Sequence, residues 1–567
     1  MTTAEMATTT APDPAPIPAP PDFPVAWEQP GDERLFWLYD RMHFPGPVPP
    51  LIGSLLPRAL EGWSAAAAAY EMPRRMRTRI INTYCYCAVT SVAASPEQIE
   101  AMGQRAQAHL QDLAQRLGEL WEQEWLPEIK RHLAYFEELD LQGASADELR
   151  AILEETIARF ERLWQIHFRT VMPAYLPISL FEEFYRDLFG AETTFDAYRL
   201  LQGFDNKTIE SDRALWQLSR SALASPVVRR ILEEHAAADV ISVMEQSSEG
   251  QAFLAQLRGY LEEYGQRGNT WNFAGPSWRE DPTPVMTALK DYITQRDRDL
   301  PGKMAALADE RERRLAETRE RLKDYPQPIV QQFEGLLKAA QTGTILTEEH
   351  GFWIDFRSMH QVRRVLMECG RRLAQAGVIE QPGDVFYLNL DELRDAIRMR
   401  PGDDRREIVA ARKAEMEHFR TITPPPVLGT QPPGPPPDNP MTRMGFKFGG
   451  GLPPAQTDPS VISGNAGSPG RVRGQVKVIS SLGEAQKLRL GDILVAETTA
   501  PPWTPLFSIA AAVVTDTGGI LSHCAVVARE YGIPAVVGTG IATAKLQDGQ
   551  LVEVDGDAGI VRIDLAG

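Results

Sequence analysis

Apolar residues recur at steps of three and four positions through most of residues 96–420, with charged residues between them. Leu110, Leu113 and Leu117 form one such stripe. This spacing places apolar side chains on one face of an α-helix, so the pattern predicts a large and mostly helical body. No sequence repeat of fixed period runs through the region, and a solenoid is therefore not expected.

The pattern changes towards the C-terminus. Residues 472–479 alternate between apolar and polar as a half-buried strand does, and 492–496 form a short apolar run. Residues 551–563 have the composition of a β-hairpin with an Asp-Gly turn. We therefore expect a small mixed α/β domain at 463–567.

Two stretches rich in proline separate these regions from the rest. Residues 1–22 contain mainly Ala, Pro and Thr, which predicts a disordered tail. Residues 421–462 carry a dense proline run and then three glycines, which is typical of a semi-rigid linker. The expected organisation is multidomain α plus α/β: tail 1–22, helical domain 23–420 with an N-terminal strap, linker 421–462, and final domain 463–567.

Composition excludes several classes of partner. The net charge of -18 argues against nucleic acid, because duplex binding needs a basic face. No apolar run approaches the roughly 20 residues of a membrane helix, so no membrane partner is expected. Four scattered cysteines predict neither a disulfide framework nor a metal site. A reducing, cytoplasmic location fits this cysteine usage.

His523 stands where a predicted strand gives way to a helix. Residues 511–514 are apolar, 515–519 contain a Gly-Gly turn, and the residues from Ser522 onwards predict a helix. A helix start offers free N–H groups and a positive dipole end, which favour phosphate. His523 is thus a candidate carrier of a phosphoryl group. The alternative is an incidental histidine behind a helix-capping Ser522.

The surrounding segments resemble a known family. Ala500-Pro-Pro-Trp-Thr-Pro-Leu-Phe507, Thr515-Asp-Thr-Gly-Gly519, Ser522-His523 and Ala528-Arg-Glu-Tyr-Gly-Ile-Pro-Ala-Val-Val-Gly538 are similar to the swivelling phosphohistidine domain of phosphoenolpyruvate-utilising enzymes. The resemblance implies that His523 carries the phosphoryl group. Cys524 departs mildly from the small residue expected at its position. The implied phosphate-binding residues are Thr517, Gly518, Gly519, Ser522 and Arg529.

The helical body carries a weaker resemblance to the same family. Tyr264-Gly-Gln-Arg267 and residues 370–393 are similar to the domain that binds the phosphate acceptor in rifampin phosphotransferases and their relatives. The resemblance implies that Arg267 clamps the incoming phosphate. Gln266 replaces a histidine expected in many relatives, so we assign the general base to His350.

Arginines close to aromatic residues suit an anionic group next to an aromatic ring. On this basis Arg363, Trp353 and Trp271 are the candidate substrate-binding residues. The alternative for the arginines is a solvated helix face paired with glutamates.

We find no glycine-rich P-loop and no nucleotide-binding set of the ATP-grasp type in the sequence. Together with the family resemblance, this implies the phosphoryl-transfer subunit of a split, ATP-dependent phosphotransferase. A partner ATP-grasp subunit would use ATP and Mg²⁺ to phosphorylate His523. A hydroxyl of a small organic acceptor would receive the phosphate, and the aromatic residues of the helical body favour an aromatic acceptor. Two alternatives stay open: a non-catalytic adaptor that retains the fold, and an enzyme that takes phosphate directly from phosphoenolpyruvate.

Overall fold

The computed structural model describes residues 15–563 except 94, 191–194, 297–298, 399, 433 and 452. Residues 1–14 of the predicted tail lie outside the described residues. Eighteen α-helices have the following bounds in the described part: α1 Pro50–Ala69, α2 Pro96–Leu120, α3 Leu126–Glu137, α4 Ala146–Phe189, α5 Lys207–Ala224, α6 Pro226–Glu234, α7 Val240–Met244, α8 Ser248–Tyr264, α9 Thr283–Thr294, α10 Leu300–Leu322, α11 Gln327–His350, α12 Arg357–Gln375, α13 Leu390–Ala396, α14 Arg406–Arg420, α15 Pro440–Gly449, α16 Thr504–Phe507, α17 His523–Tyr531 and α18 Ala542–Lys545.

The strands form two sheets. In chain order they are β1 Pro16–Ile17, β2 Phe36–Tyr39, β3 Arg74–Ile81, β4 Tyr84–Ser91, β5 Val427–Thr430, β6 Val461–Ser463, β7 Asn465–Ser468, β8 Arg471–Val478, β9 Ile493–Ala496, β10 Ala512–Thr515, β11 Ala535–Val537, β12 Leu551–Asp555 and β13 Ile560–Ile563. Strands β1 to β5 belong to one sheet, in the order β1-β5-β2-β4-β3, and the other eight belong to the second.

Helix α4 is the axis of the helical body. It runs for 44 residues from a capping box at Ser145, through Pro173 and Pro177, to a left-handed Gly190. It packs lengthwise against α11 and also against α1, α2 and α12. The predicted helical body is therefore present, and α4 and α11 are its central pair.

A five-stranded antiparallel sheet packs against this body through α1, where the sequence pattern predicted helices and an N-terminal strap. The β3–β4 hairpin turns through Asn82 and Thr83, which both have positive φ, as a two-residue hairpin turn requires. Strand β3 carries four arginines among its eight residues, and these obscure the alternation of a strand in the sequence. Pairing with β4, rather than the local sequence pattern, makes these residues a strand.

The predicted tail and linker both contribute ordered elements. Pro16 and Ile17 pair with Thr430 and Gly429, so β1 joins the sheet through β5. Within 421–462, helix α15 packs against α4. The predicted semi-rigid linker 421–462 therefore includes two packed elements, because backbone hydrogen bonds hold β5 and packing against α4 holds α15.

The C-terminal region is the mixed α/β unit that the pattern predicted. Its sheet has the order β6-β13-β12-β8-β9-β10-β11-β7, with β8, β9, β10 and β11 parallel to one another. Helix α17 follows β10 and packs over the parallel strands through Ala525, Ala528 and Tyr531. This connection places the start of α17 at the carboxyl edge of the sheet, as expected of a ligand-binding edge. Among the described residues, none of the helices is both long enough and apolar enough to serve as a membrane span.

Candidate functional site

His523 occupies the first position of α17, directly after its cap. The Ser522 hydroxyl accepts a hydrogen bond from the Ala525 N–H at 3.4 Å, so Ser522 is the N-cap of α17, as the sequence pattern predicted. The His523 side chain is 13% exposed, because it faces the helical body. Neither ring nitrogen has a hydrogen-bond partner among the described residues. Both nitrogens are therefore free for chemistry.

The nearest charged group to this ring comes from the helical body. Nδ1 of His523 lies 3.5 Å from Oε1 of Glu348, near the end of α11. The Thr208 hydroxyl donates to the other Glu348 oxygen at 2.8 Å. Burial alone would raise the pKa of Glu348, but the charge of His523 and the hydroxyl of Thr208 outweigh burial and lower that pKa. Glu348 is thus a buried carboxylate that faces the imidazole.

Arg267 is buried in the same region. Its Nη2 donates to the Lys207 carbonyl at 3.3 Å, and its Nε has no partner among the described residues. Burial lowers the pKa of Arg267, while the charge of Glu348 works in the opposite direction. A buried guanidinium with a spare donor near Glu348 is a suitable ligand for phosphate. This geometry supports the predicted clamp.

The predicted phosphate cradle is held by α15. The Gly519 N–H donates to the Phe448 carbonyl and the Leu521 N–H to the Lys447 carbonyl, each at 2.8 Å. A Cβ on Gly519 would lie 2.3 Å from the Lys447 oxygen, so only glycine allows this approach. In this arrangement the Gly519 amide binds protein rather than phosphate. Gly518, with φ 98°, lets the loop turn back towards Ser522.

Thr517 and Arg529 have structural partners. The Thr517 hydroxyl donates to the Glu497 carbonyl at 3.2 Å. Nη1 of Arg529 donates to the carbonyls of Gly467 and Ile520 at 2.8 and 2.9 Å. These bonds fix the loop before His523. Phosphate contacts by either side chain stay a prediction.

A second polar cluster is formed by His350, His167 and Asp355, whose ligand atoms all lie within 4.8 Å of one another. Nδ1 of His167 lies 2.7 Å from Asp355 Oδ1, and the two imidazole rings are 4.8 Å apart between centroids. Burial lowers the pKa of His350. For Asp355 burial works towards a higher pKa, but the neighbouring His167 outweighs it and the pKa is lowered.

A π-helical segment brings Asp355 to His350. In an ideal α-helix, residues five apart lie about 140° apart around the axis, on different faces. Gly351–Phe356 is π-helical, and its i→i+5 hydrogen bonding stacks residues five positions apart. His350 and Asp355 therefore share a face. Short π-helical segments within α-helices are frequent at functional sites.

Aromatic side chains surround this cluster. Trp271 donates its Nε1–H to Asp355 Oδ2 at 3.2 Å, and the His43 ring meets Trp271 edge-on at 5.1 Å. Phe448 lies 6.4 Å from His43 and 4.9 Å from Tyr175 between ring centroids. Burial raises the pKa of Tyr175, and the charges of Glu348 and Asp355 add to the effect. Tyr175 thus lies near both polar groups, and Trp271 lies at the cluster, while a substrate-binding role for Trp271 stays a prediction.

Arg363 and Trp353 are engaged elsewhere. Nε of Arg363 donates to both carboxylate oxygens of Glu280 at 2.9 and 3.0 Å, and its Nη1 to the Ala274 carbonyl at 2.5 Å. Trp353 donates to Glu349 at 3.0 Å. These contacts do not support a substrate-binding role for either residue. Arg363 instead pairs with a glutamate, which was the alternative given for the arginines in the sequence analysis.

The sequence pattern assigned no functional role to Glu348 or to His167. Both lie on helical faces whose surroundings depend on α4, α11 and α17 meeting. The only signal available was the density of charged and aromatic residues at 348–357.

Two family models match parts of this chain. Residues 167–348 match the model described as rifampicin phosphotransferase fourth domain, and residues 488–559 match the PEP-utilising enzyme mobile domain. The first match ends at Glu348 and the second contains His523, so both matched segments contribute to the contact between these residues. Two segments of the chain are thus similar to domains of rifampicin phosphotransferase and of PEP-utilising enzymes. The family resemblance expected from the sequence is confirmed.

Several curated relatives cover most of this chain. Chondramide synthase of Chondromyces crocatus is 41% identical over 96% of the chain and 14% of its own length. The uncharacterized phosphotransferase YvkC of Bacillus subtilis is 28% identical over 94% of the chain and 62% of its own length. Rifampicin phosphotransferase of Streptomyces sviceus is 31% identical over 63% of the chain and 40% of its own length. The chain thus spans less than two thirds of each of these relatives.

Proposed function

We propose that this chain is a phosphotransferase that carries a phosphoryl group on His523 and passes it to a hydroxyl of a small aromatic acceptor in the helical body. The observation that carries the proposal is the contact between His523 and Glu348. It places a histidine with two unpartnered ring nitrogens at the junction of the two domains. An adaptor would not need free imidazole nitrogens at a buried polar junction.

The proposed transfer makes one bond and breaks one bond. Nδ1 of His523 faces Glu348, so the phosphoryl group belongs on Nε2. The acceptor oxygen forms the new P–O bond, and the P–N electron pair returns to the imidazole. Glu348 favours a proton on Nδ1, which makes the imidazole a better leaving group. Phosphoryl transfer needs positioning and charge neutralisation more than further covalent chemistry, and Arg267 supplies positive charge.

The proton of the acceptor hydroxyl needs a base. Because burial lowers the pKa of His350, its ring is neutral at neutral pH. Its Nδ1 faces the Leu346 carbonyl at 2.9 Å and donates to it, so Nε2 carries the lone pair. This supports His350 as the group that takes the proton.

The aromatic surroundings support the acceptor class. Trp271, Tyr175 and Phe448 present ring faces and edges around the polar cluster. Such walls suit a flat apolar molecule, with the polar cluster orienting its hydroxyl. The names of two relatives, rifampicin phosphotransferase and prodigiosin synthesizing transferase, also indicate transfer chemistry.

We propose that ATP supplies the phosphate, with Mg²⁺, on an ATP-grasp partner subunit. The nucleotide and the ion then bind outside this chain, and none of the residues above is assigned to them. The bond between the α- and β-phosphates breaks as the β-phosphoryl group moves to His523, and water cleaves the bond to the γ-phosphate, so AMP and phosphate are the products.

The test is isotope labelling of His523. The purified chain is incubated with the candidate ATP-grasp partner and β-labelled ATP, and acid-labile label is located by peptide mapping. Label on His523 is expected in the wild type and in His132→Asn, which changes another partly buried histidine, and no label is expected in His523→Asn. Label from phosphoenolpyruvate without a partner would overturn the ATP assignment. A chain that neither donor labels would overturn the proposal in favour of an adaptor.

A further inference from the structure

The cluster of His167, His350 and Asp355 has the composition of a metal site. Two imidazoles and one carboxylate are the ligand set that divalent first-row ions accept, above all zinc, with a position left open. The three ligand atoms lie within 4.8 Å of one another. Bonds of about 2.0–2.2 Å from each ligand place two ligand atoms at most about 4.4 Å apart, so binding one ion requires the three atoms to approach within that distance.

The groups behind the ligands are also in place. Nδ1 of His350 donates to the Leu346 carbonyl at 2.9 Å, which directs Nε2 outwards as the binding atom. Trp271 donates to Asp355 Oδ2 at 3.2 Å and leaves Oδ1 for the cluster. Metal-binding histidines and carboxylates are oriented by partners of this kind.

The charge of Asp355 also favours a bound cation. Asp355 is 3% exposed, and in the described part of the chain no lysine or arginine makes an ion pair with it. A buried carboxylate is costly without a compensating cation. His167 lies 2.7 Å from Asp355 and supplies one possible compensation, a hydrogen bond. A divalent ion bound by both residues supplies a stronger one.

We infer that His167, His350 and Asp355 bind a zinc-type divalent cation whose open position receives the hydroxyl oxygen of the acceptor. The role assigned to the ion rests on the proposed function, but the binding site does not. His350 acts as the base only in the metal-free protein. With the ion bound, His350 is a ligand, the positive charge of the ion favours the deprotonated hydroxyl, and the hydroxyl proton passes to water. The π-helical segment then contributes to metal binding, because it brings the ligands His350 and Asp355 onto one face of the helix.

The test measures metal binding by the purified chain, without partner or acceptor. The protein is treated with a chelator, and Zn²⁺ binding is measured by titration calorimetry and elemental analysis. Wild type is expected to retain one ion per chain. His167→Gln and Asp355→Asn are expected to weaken binding ~10-fold or more. His132→Gln is the matched histidine control and is expected to bind as wild type does.

A second group, formed by Asp40, Cys85 and Cys87, makes a further control necessary. Cys87→Ser is expected to leave Zn²⁺ binding unchanged. Failure of the wild type to bind an ion, or full binding by His167→Gln and Asp355→Asn, overturns the inference. If circular dichroism shows that the variants are unfolded, the absorption spectrum of the wild type loaded with Co²⁺ decides whether the site binds a metal ion. Ligand-field bands without thiolate charge transfer support the site, and thiolate absorption or no bands overturns it. His523 labelling is scored separately, so the two proposals fail independently.

Discussion

Nδ1 of His523 and Oε1 of Glu348 lie 3.5 Å apart, although one belongs to the small α/β domain and the other to the helical body. Glu348 is held by Thr208 on its other oxygen. The imidazole therefore meets a fixed anion when the two domains are in contact. This pairing has consequences for stability as well as for chemistry.

Glu348→Gln is expected to destabilise the protein at pH 7 by about 1–3 kcal/mol, because His523 and Thr208 lose a buried anionic partner. The folded pKa of Glu348 is lowered, so its contribution is present above the unfolded pKa and is lost as pH falls through the folded value. The difference between variant and wild type should therefore shrink below about pH 4. Urea unfolding at pH 7 and pH 4 measures this.

The neighbouring Glu349 is the matched control. Burial raises the pKa of Glu349, which is the opposite direction. Glu349→Gln should not reproduce the loss at pH 7. Equal effects of the two substitutions would contradict the assigned role of Glu348.

Gly519→Ala is expected to detach the loop before His523 from α15. The added Cβ would lie 2.3 Å from the Lys447 carbonyl oxygen, a contact that the backbone must move to avoid. A loss of about 1–3 kcal/mol follows, and differential scanning calorimetry measures it. Gly445→Ala is the control on α15 itself, because nothing lies within 4 Å of its new Cβ. That variant should be neutral or slightly more stable, since alanine favours a helix. Similar melting of the two variants would refute the predicted contact.

Arg41→Ala is expected to loosen the small domain. The Arg41 guanidinium bonds to Glu497, to Asp516 at 3.1 Å and to the Gly540 carbonyl at 3.1 Å, all three in the C-terminal domain. Loss of these bonds should increase the radius of gyration in X-ray scattering and speed limited proteolysis within 421–462. Arg313→Ala removes an exposed pair with Glu317 and should change neither measurement. If Arg41→Ala changes neither the radius of gyration nor the rate of proteolysis, contacts other than those of Arg41 hold the small domain in place.

Glu530→Gln is expected to stabilise the protein at pH 8 and leave it unchanged at pH 4. Burial raises the pKa of Glu530 to about 7, and both its oxygens lie 3.2 Å from the Gly203 N–H. A raised folded pKa means that stability is greatest below the unfolded value and falls as pH rises through about 7. Glutamine keeps the acceptor and cannot ionise, so the gain at pH 8 is up to about 3 kcal/mol.

Thermal unfolding of Glu530→Gln at both pH values checks this. Glu312→Gln, at an exposed glutamate, is the control and should show no such dependence on pH. A Glu530→Gln profile parallel to the wild type would exclude Glu530 as the titrating group.

Local sequence pattern determined the strand–turn–helix unit that carries His523. The apolar run, the paired glycines and the Ser522 cap act within a few residues of one another, so their structural meaning is independent of distant contacts. The helical stripes of the body were readable for the same reason. The family resemblance rests on this local segment.

The tertiary structure decided which side chains surround His523 and His350. Glu348, Thr208 and His523 come from three helices, and Tyr175 and Phe448 from two others, so no periodicity within one segment could pair them. The same holds for β1 and β5, whose pairing gives structure to a proline-rich tail and linker. Side chains far apart in sequence acquire partners only when helices and strands pack, because burial and charge at a site depend on everything that surrounds it.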